Sequence, residues 1–451
     1  MGGGLAGITA ALRCADSGYD VALFESRPWL GGLTHSFRRG ELDVDNGQHV
    51  FLRCCTSYRA LLDRLGVADK VRLQPRLDIP VRSPLHPRPA RLRRNNLPAP
   101  LHLGGALAKY SLLSPAQRIR FIRAALALRK IDRTSRAVDE RSFGSWLREK
   151  GQDALTVSAL WDLVGVATLN ATADEASLAL AAMVFQVGLL TDAGAADIGW
   201  SLVPLRQLHG EPAHHRLTEA GVELRTGTKI DSVEPRGDRW LVGSGGEEHM
   251  ADQVVLAVPP RVAERLLPPG SVALPAGWSA RLGSSPIINA HVVLDRRVMD
   301  GPFVAGVSTP IQWVFDRTEH SGLAGRQRSA GGTEPDGQYL AVSLSAADDM
   351  INKTVAELRE WLMPELTALL PGVRTATVLD FFVSREPHAT FRPGPGSAAL
   401  RPGAATAAPG LFLAGAWTDT GWPATMESAV RSGESAAAEV LARRGVQGVA
   451  A

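Results

Sequence analysis

The chain is poor in cysteine: Cys14, Cys54 and Cys55 are the only three in 451 residues. Two are adjacent and no CxxC pair occurs. That excludes a disulfide framework and makes a reducing compartment, the cytoplasm, the expectation. No run approaches the roughly 20 apolar residues that cross a bilayer. No basic segment followed by an apolar stretch opens the chain, so no signal peptide is read. Charge of one sign is scarce too: the net charge is +3, with no basic patch interleaved with aromatics, so nucleic acid is not an expected partner. HExxH is missing, and His214 and His215 are adjacent side chains that diverge, so no metal is expected. GxSxG is missing, which argues against a lipase-like hydrolase. What remains is a folded chain, 45% apolar and 21% charged, long enough for two or three domains.

Glycine is plentiful where it matters. The opening MGGGLAGITAALRCADSGYDVALFE places Gly2, Gly4 and Gly7 in a GxGxxG pattern, followed by a helix from about Leu5 to Ser17 and a strand from Val21 to Phe24. Gly2 permits a tight turn, Gly4 lets a pyrophosphate approach the backbone, and Gly7 allows close helix packing. The amides of Leu5 and Ala6 then face the phosphates at the helix N-terminus. Glu25, with Ser26 behind it, ends the strand and can accept bonds from both ribose hydroxyls, which favours FAD or NAD over NADP. A buried strand ordinarily precedes such a fingerprint. Met1 stands directly before Gly2, and the expectation is that the chain begins upstream of it.

A second glycine turn at Gly31 and Gly32 follows soon after. Far downstream, Leu411 to Ala414 read as a strand ending at Gly415. A loop with Trp417, Asp419, Gly421, Trp422 and Pro423 comes next, then a helix near Thr425 and Met426. Its N-terminal amides suit the pyrimidine carbonyl of a flavin. Val254 to Val258 give another strand, followed by Pro259, Pro260 and a helix.

These pieces set an α/β fold: a Rossmann-like FAD-binding domain in parts 1–75, 206–270 and 401–451, interleaved with a substrate domain. Residues 76–205 are expected to be mainly helical after a proline- and arginine-rich surface crossing at 76–100, and 271–400 to form a mixed sheet. That sheet draws on INAHVVLD, YLAVSLSA, TVLDFFV and a helix at Ile351 to Leu362. Residues 321–337 are expected as an exposed hairpin or loop. LLSPAQRIRFIRAALALRKI carries Arg118, Arg120, Arg123, Arg129 and Lys130 among apolar residues. It reads equally as a surface helix or as one lying on an anionic membrane.

NGQHVFLRCCTSY and LFLAGAWTDTGWPATMESAVRSG, with the opening glycines, resemble the squalene-associated FAD-dependent desaturase group of the amine oxidase superfamily, and within it the bacterial hydroxysqualene dehydroxylases. The likeness runs from Gly2 to roughly Ala438. It implies an amine oxidase-like fold, FAD as cofactor, an electron donor to the flavin, and reduction of hydroxysqualene to squalene in hopanoid biosynthesis. The family usually has an arginine after the second glycine pair, where this chain has Leu33; Arg27 and Arg38 are the alternatives. It also often has an acid after the strand-end glycine, where this chain has Ala416. Asp45, His49, Cys54 and Tyr58 are the proton-donor candidates, His49 having the best-suited ordinary pKa, near 6.5. An apolar tunnel is expected, with Trp161, Phe185, Leu189, Trp313 and Phe315 as lining or core residues. The competing reading is oxidation of an isoprenoid or amine.

Overall fold

The computed structural model describes residues 1–323 and 337–449. Two parallel strand pairs form the nucleotide sheet, Ala22–Phe24 with Glu223–Arg225 and Val254–Leu256 with Leu411–Leu413. Met1 and Gly2 lie between them. The Gly2 amide donates to Phe24 O (2.7 Å), the Met1 amino group to Val255 O (2.9 Å), and the Ala257 amide to Met1 O (2.8 Å). The helix Leu5–Asp16 buries all its residues but Arg13, Ala15 and Asp16. A helix hidden on nearly every side belongs inside a layered α/β domain.

The C-terminal helix, Met426–Val449, runs parallel to it. Ala6 lies against Gly433, while Cys14 and the Tyr19 hydroxyl meet the Val440 region. A Cβ on Gly433 would stand 2.3 Å from Ala6 O, so only glycine permits this approach. Gly433 is about two turns into its helix, so the C-terminal helix starts about 10 Å beyond the first.

The second domain holds a seven-stranded mixed sheet ordered 378–390, 285–294, 338–345, 313–316, 303–306, 78–83, 86–93. Its strand Ser285–Leu294 is buried at every position but Ile287, as a strand paired on both sides and covered on both faces must be. Residues 76–100 differ from the expected crossing. Asp78–Ser83 and His86–Arg93 pair as an antiparallel hairpin whose Ala90 and Leu92 face inward while Arg91 and Arg93 clamp Asp78. The helix expected at Ile351 to Leu362 instead spans Val355–Leu369, because Thr354 and Glu357 close a capping box at its start. All but the ends of the loop expected at 321–337 lie outside the described residues.

Helices fill the region between the sheets, and three π-turns interrupt them at Val157–Trp161, Gln186–Leu190 and Arg206–Gly210. Trp161 and Phe185 sit in an aromatic stack with Phe143, Trp146 and Phe121. Both are buried core residues there, and Leu189 packs partly buried against the same cluster.

Candidate active site

The two glycine turns interlock. Gly31 donates to Gly3 O (2.8 Å) and pairs with Gly4 as an isolated bridge. At Gly31 and Gly32 φ is +111° and +60°, and a Cβ on Gly32 would lie 2.9 Å from Gly4 Cα. A Cβ would meet Ala257 O at 2.2 Å on Gly2 and Gly2 O at 1.8 Å on Gly7, so packing forbids side chains at both. Gly4 is different. Its nearest neighbour would be 3.7 Å away, so the protein leaves this face open, and a ligand's approach is the reason for glycine there. No side chain caps the first helix, leaving its leading amides, among them Leu5 and Ala6, for an anion.

Glu25 is buried at the end of its strand. Its carboxylate accepts from the Gly3 amide (2.6 Å), the Ser26 hydroxyl (3.0 Å) and the Arg27 amide (2.8 Å). A carboxylate has about four lone-pair positions, so one remains for a ribose hydroxyl.

The start of the C-terminal helix is equally prepared. The Ser428 amide donates to Thr425 Oγ1 (3.2 Å), making Thr425 its cap, with Met426 in the first turn. The loop before it hangs on Arg401, which sequence reasoning missed. Arg401 donates to the carbonyls of Trp417 (3.2 Å), Thr418 (2.6 Å) and Trp422 (2.8 Å). Its guanidinium lies 4.5 Å from the Phe391 ring centre, and burial pushes its pKa down to about 10. The Gly415 amide donates to Ser432 Oγ (2.8 Å), binding the strand end to the helix. Asp419 is exposed and accepts from the Gly421 amide (3.2 Å), a local turn.

The four proton-donor candidates fall in two groups. Asp45 is buried and fully engaged: it accepts from Ser36 Oγ (2.7 Å), the Leu205 amide (3.0 Å) and Arg317 (2.5 Å). His49 stands beside it in a cleft walled by Val50, Trp200, Leu205, Pro302 and Phe315. Burial pushes His49 down to about 4, against the opposing pull of Asp45. At neutral pH it is therefore an unprotonated imidazole that donates one hydrogen bond and accepts another. Of the aromatics expected at a tunnel, Phe315 borders this cleft, and Trp313 stacks against it (6.1 Å between ring centres).

Cys54 and Tyr58 flank the start of the helix Thr56–Leu65. Cys54 is half-buried, its thiol drawn below the usual range by the hydrogen bond from Cys55. Glu427, in the first turn of the C-terminal helix, accepts from the Ser57 (3.2 Å) and Tyr58 (2.8 Å) amides, so one helix start caps the other. Inside, the Tyr58 hydroxyl meets His209 Nε2 at 2.8 Å, and burial pushes the Tyr58 phenol well above its ordinary range.

Two buried polar atoms here have no hydrogen-bond partner among the described residues, His35 Nδ1 and Asn289 Oδ1. His35 hydrogen-bonds to the Gly32 backbone and His209 to the Thr34 backbone, and Asn289 lies beside Gly47. Unpaired groups out of water are costly. With the open face of Gly4 and two parallel helix N-termini offset by about 10 Å along their axes, they fit an extended dinucleotide.

Residues 5–441 match the flavin containing amine oxidoreductase family. The chain belongs to this family. FAD is its cofactor, and the enzyme is a flavin-dependent oxidoreductase. The chain is 30% identical to a hydroxysqualene dehydroxylase of Rhodopseudomonas palustris, over 98% of this chain and 97% of that one. It is 24% identical to a 15-cis-phytoene desaturase of Synechococcus elongatus, over 98% and 95%. Cyclohexylamine oxidase from Brevibacterium oxydans shares the fold at a TM-score of 0.68 and 19% identity, covering 98% of both chains. Gly2 to Gly7, Glu25, Ser26, Gly31, Gly32, Gly415, Thr425 and Met426, the residues expected to bind FAD, lie at the two glycine turns and the starts of the first and last helices.

Proposed function

We propose that the protein removes the hydroxyl of hydroxysqualene, giving squalene in a route to hopanoids. The observation that carries this reading is the His49 cleft, where Val50, Trp200, Leu205, Pro302 and Phe315 face a polar side formed by Asp45, Gln48, Ser201, Asp316 and Arg317, together with the dehydroxylase relatives. Reduced FAD supplies a hydride to the allylic carbon when bound. Val50, Trp200 and Phe315 hold the isoprenoid chain at about 0.8 kcal/mol per buried methylene and keep water from the reacting carbon. His49 hydrogen-bonds the departing hydroxyl. Only its imidazolium form can pass a proton to that oxygen, and this form gains ground as pH falls toward about 4.

The phytoene desaturase relatives favour a second reading, oxidative desaturation of an isoprenoid. One anaerobic experiment separates the two. Photoreduced holoenzyme mixed with hydroxysqualene should reoxidise and yield squalene. Reduction of oxidised holoenzyme by a saturated isoprenoid, with no squalene formed in the first reaction, would overturn the proposal.

We place the working enzyme on the cytoplasmic face of a membrane, through the helix Pro115–Leu128. Ile119, Ile122 and Leu126 are exposed on it, flanked by Arg120, Arg123 and Arg129. Exposed apolar groups ringed by cations suit an anionic lipid surface. Flotation with anionic vesicles should carry the protein, and Ile119→Glu should release it; wild-type protein left at the bottom of the gradient would contradict the placement.

A further inference from the structure

Arg317 follows the strand Trp313–Asp316, its amide bonded to Tyr339 O (2.8 Å), and its side chain is only 10% exposed. A guanidinium carries five N–H donors in a rigid fork and keeps its charge at every working pH. Here one of the five is used. Nη2 donates to Asp45 Oδ2 at 2.5 Å, and the side chain makes no other hydrogen bond among the described residues. Arg401, buried to a similar degree, spends its donors on three carbonyls.

The spare donors open on the His49 cleft. Arg317 lines it together with His49, Asp45 and Asp316, and none of its nitrogens is among the sealed-off atoms that lack a partner. The unbonded N–H groups therefore border open space, and the cleft is that space. Both carboxylates beside it are already engaged. Asp45 Oδ1 accepts from Ser36 and the Leu205 amide, while Asp316 accepts from Thr318, Gln338 and Arg297. Because Asp45 is fixed by these bonds, the fork it holds is aimed before any ligand arrives.

We infer that Arg317 binds an alcohol substrate by its hydroxyl oxygen, its free N–H groups donating to that oxygen in the His49 cleft. The assignment rests on the dehydroxylation proposed above and supplies its specificity, since a hydrocarbon of the same skeleton offers the fork nothing. A phosphate ester is a poor occupant, because the carboxylates of Asp45 and Asp316 line the same cleft and repel an anion. When the C–O bond breaks, its electron pair goes to the oxygen, and the guanidinium steadies the charge that grows there. Arginine gives up no proton. The proton that completes water comes from another group, His49 in the reading above, and the carbon is completed by the hydride.

The test titrates oxidised holoenzyme in detergent with hydroxysqualene and, separately, with squalene, which lacks the hydroxyl; binding is read from the flavin absorbance. Wild type should bind hydroxysqualene at least about tenfold more tightly. Two variants are compared with it. Arg317→Lys keeps a cation beside Asp45 but loses the fork, and Asp45→Asn/Arg317→Leu leaves no stranded carboxylate. Both should bind hydroxysqualene about tenfold more weakly, with squalene affinity unchanged. Equal weakening of the two ligands would overturn the assignment in favour of a structural role. A preference for the alcohol that survives in both variants would overturn it in favour of His49, and a wild type that binds both ligands equally would overturn it outright. A wild type that shows the Arg317-dependent preference yet forms no squalene when reduced would overturn the dehydroxylation and leave Arg317 as the ligand of the alcohol.

Discussion

The cofactor cradle and the His49 cleft sit side by side and are built in opposite ways. The cradle is made of backbone: glycines stripped of side chains, free helix amides, and carbonyls gathered by Arg401. The cleft is made of side chains, with Asp45 locked to Arg317 at 2.5 Å and a neutral imidazole between polar and apolar walls. Backbone recognition tolerates almost no change in volume, since any added atom strikes a main chain that cannot move aside. Side-chain recognition can be retuned residue by residue, which suits a family whose members share a nucleotide and differ in substrate.

The sharpest way to break this contrast is Gly7→Ala. Its methyl would stand 1.8 Å from Gly2 O, and the expected result is a loss of more than about 3 kcal/mol, with little folded apoprotein in a chemical denaturation series. A normal unfolding midpoint would show that the two turns are looser than described.

Arg401→Ala comes next. It leaves three carbonyls without their buried donor, and a stability loss of about 3 kcal/mol is expected. Flavin retention after gel filtration should fall with it, because the Trp417–Trp422 loop leads into the C-terminal helix. Retained flavin and stability would detach that loop from the cradle.

Acid should act through the buried histidines. His209, in the π-turn, and His291, in the strand Ser285–Leu294 between Tyr339 and Ser384, are fully buried and pushed down to about 3, whereas an unfolded histidine titrates near 6.5. Between these values the unfolded chain binds more protons, so stability is full above about pH 6.5 and is lost as pH falls. By pH 5 each residue withdraws about 2 kcal/mol. Thermal unfolding measured from pH 8 to pH 5 should show a plateau and then a decline; a flat profile would mean that these rings take up protons without cost.

His49→Gln gives the smallest effect on stability, within about 0.5 kcal/mol for a half-buried site, with turnover down at least tenfold. Wild-type turnover should climb as pH drops from 7 to 6, since the imidazolium fraction grows toward about 4. A rate that falls over this range would remove His49 as the proton source.

How much of this was legible in the sequence follows the same divide. Gly2, Gly7, Gly31 and Gly32 could be read because each marks a backbone demand that only glycine meets, Gly4 from its place in the same pattern, and Glu25 because it closes the strand after the first turn. The strand Leu411–Leu413 and the helix from Met426 were legible from a short apolar run and a Gly/Trp/Pro loop. Arg401 was not, since an arginine in a proline- and alanine-rich stretch gives no sign that it will gather carbonyls sixteen or more residues ahead. The hairpin His86–Arg93 hid behind its arginines and prolines, with only Ala90 and Leu92 turned inward. His209 carried no pattern at all, because its meaning comes from Tyr58 and Thr34, brought near by the fold.

Gly4→Ala offers the most direct trial of the claim that the first turn is open for a ligand. Apoprotein of this variant should unfold at the wild-type temperature, because 3.7 Å of clearance admits the added Cβ, yet FAD should bind at least about tenfold more weakly. FAD affinity preserved in that variant would contradict the account, and so would a collapse of the apoprotein.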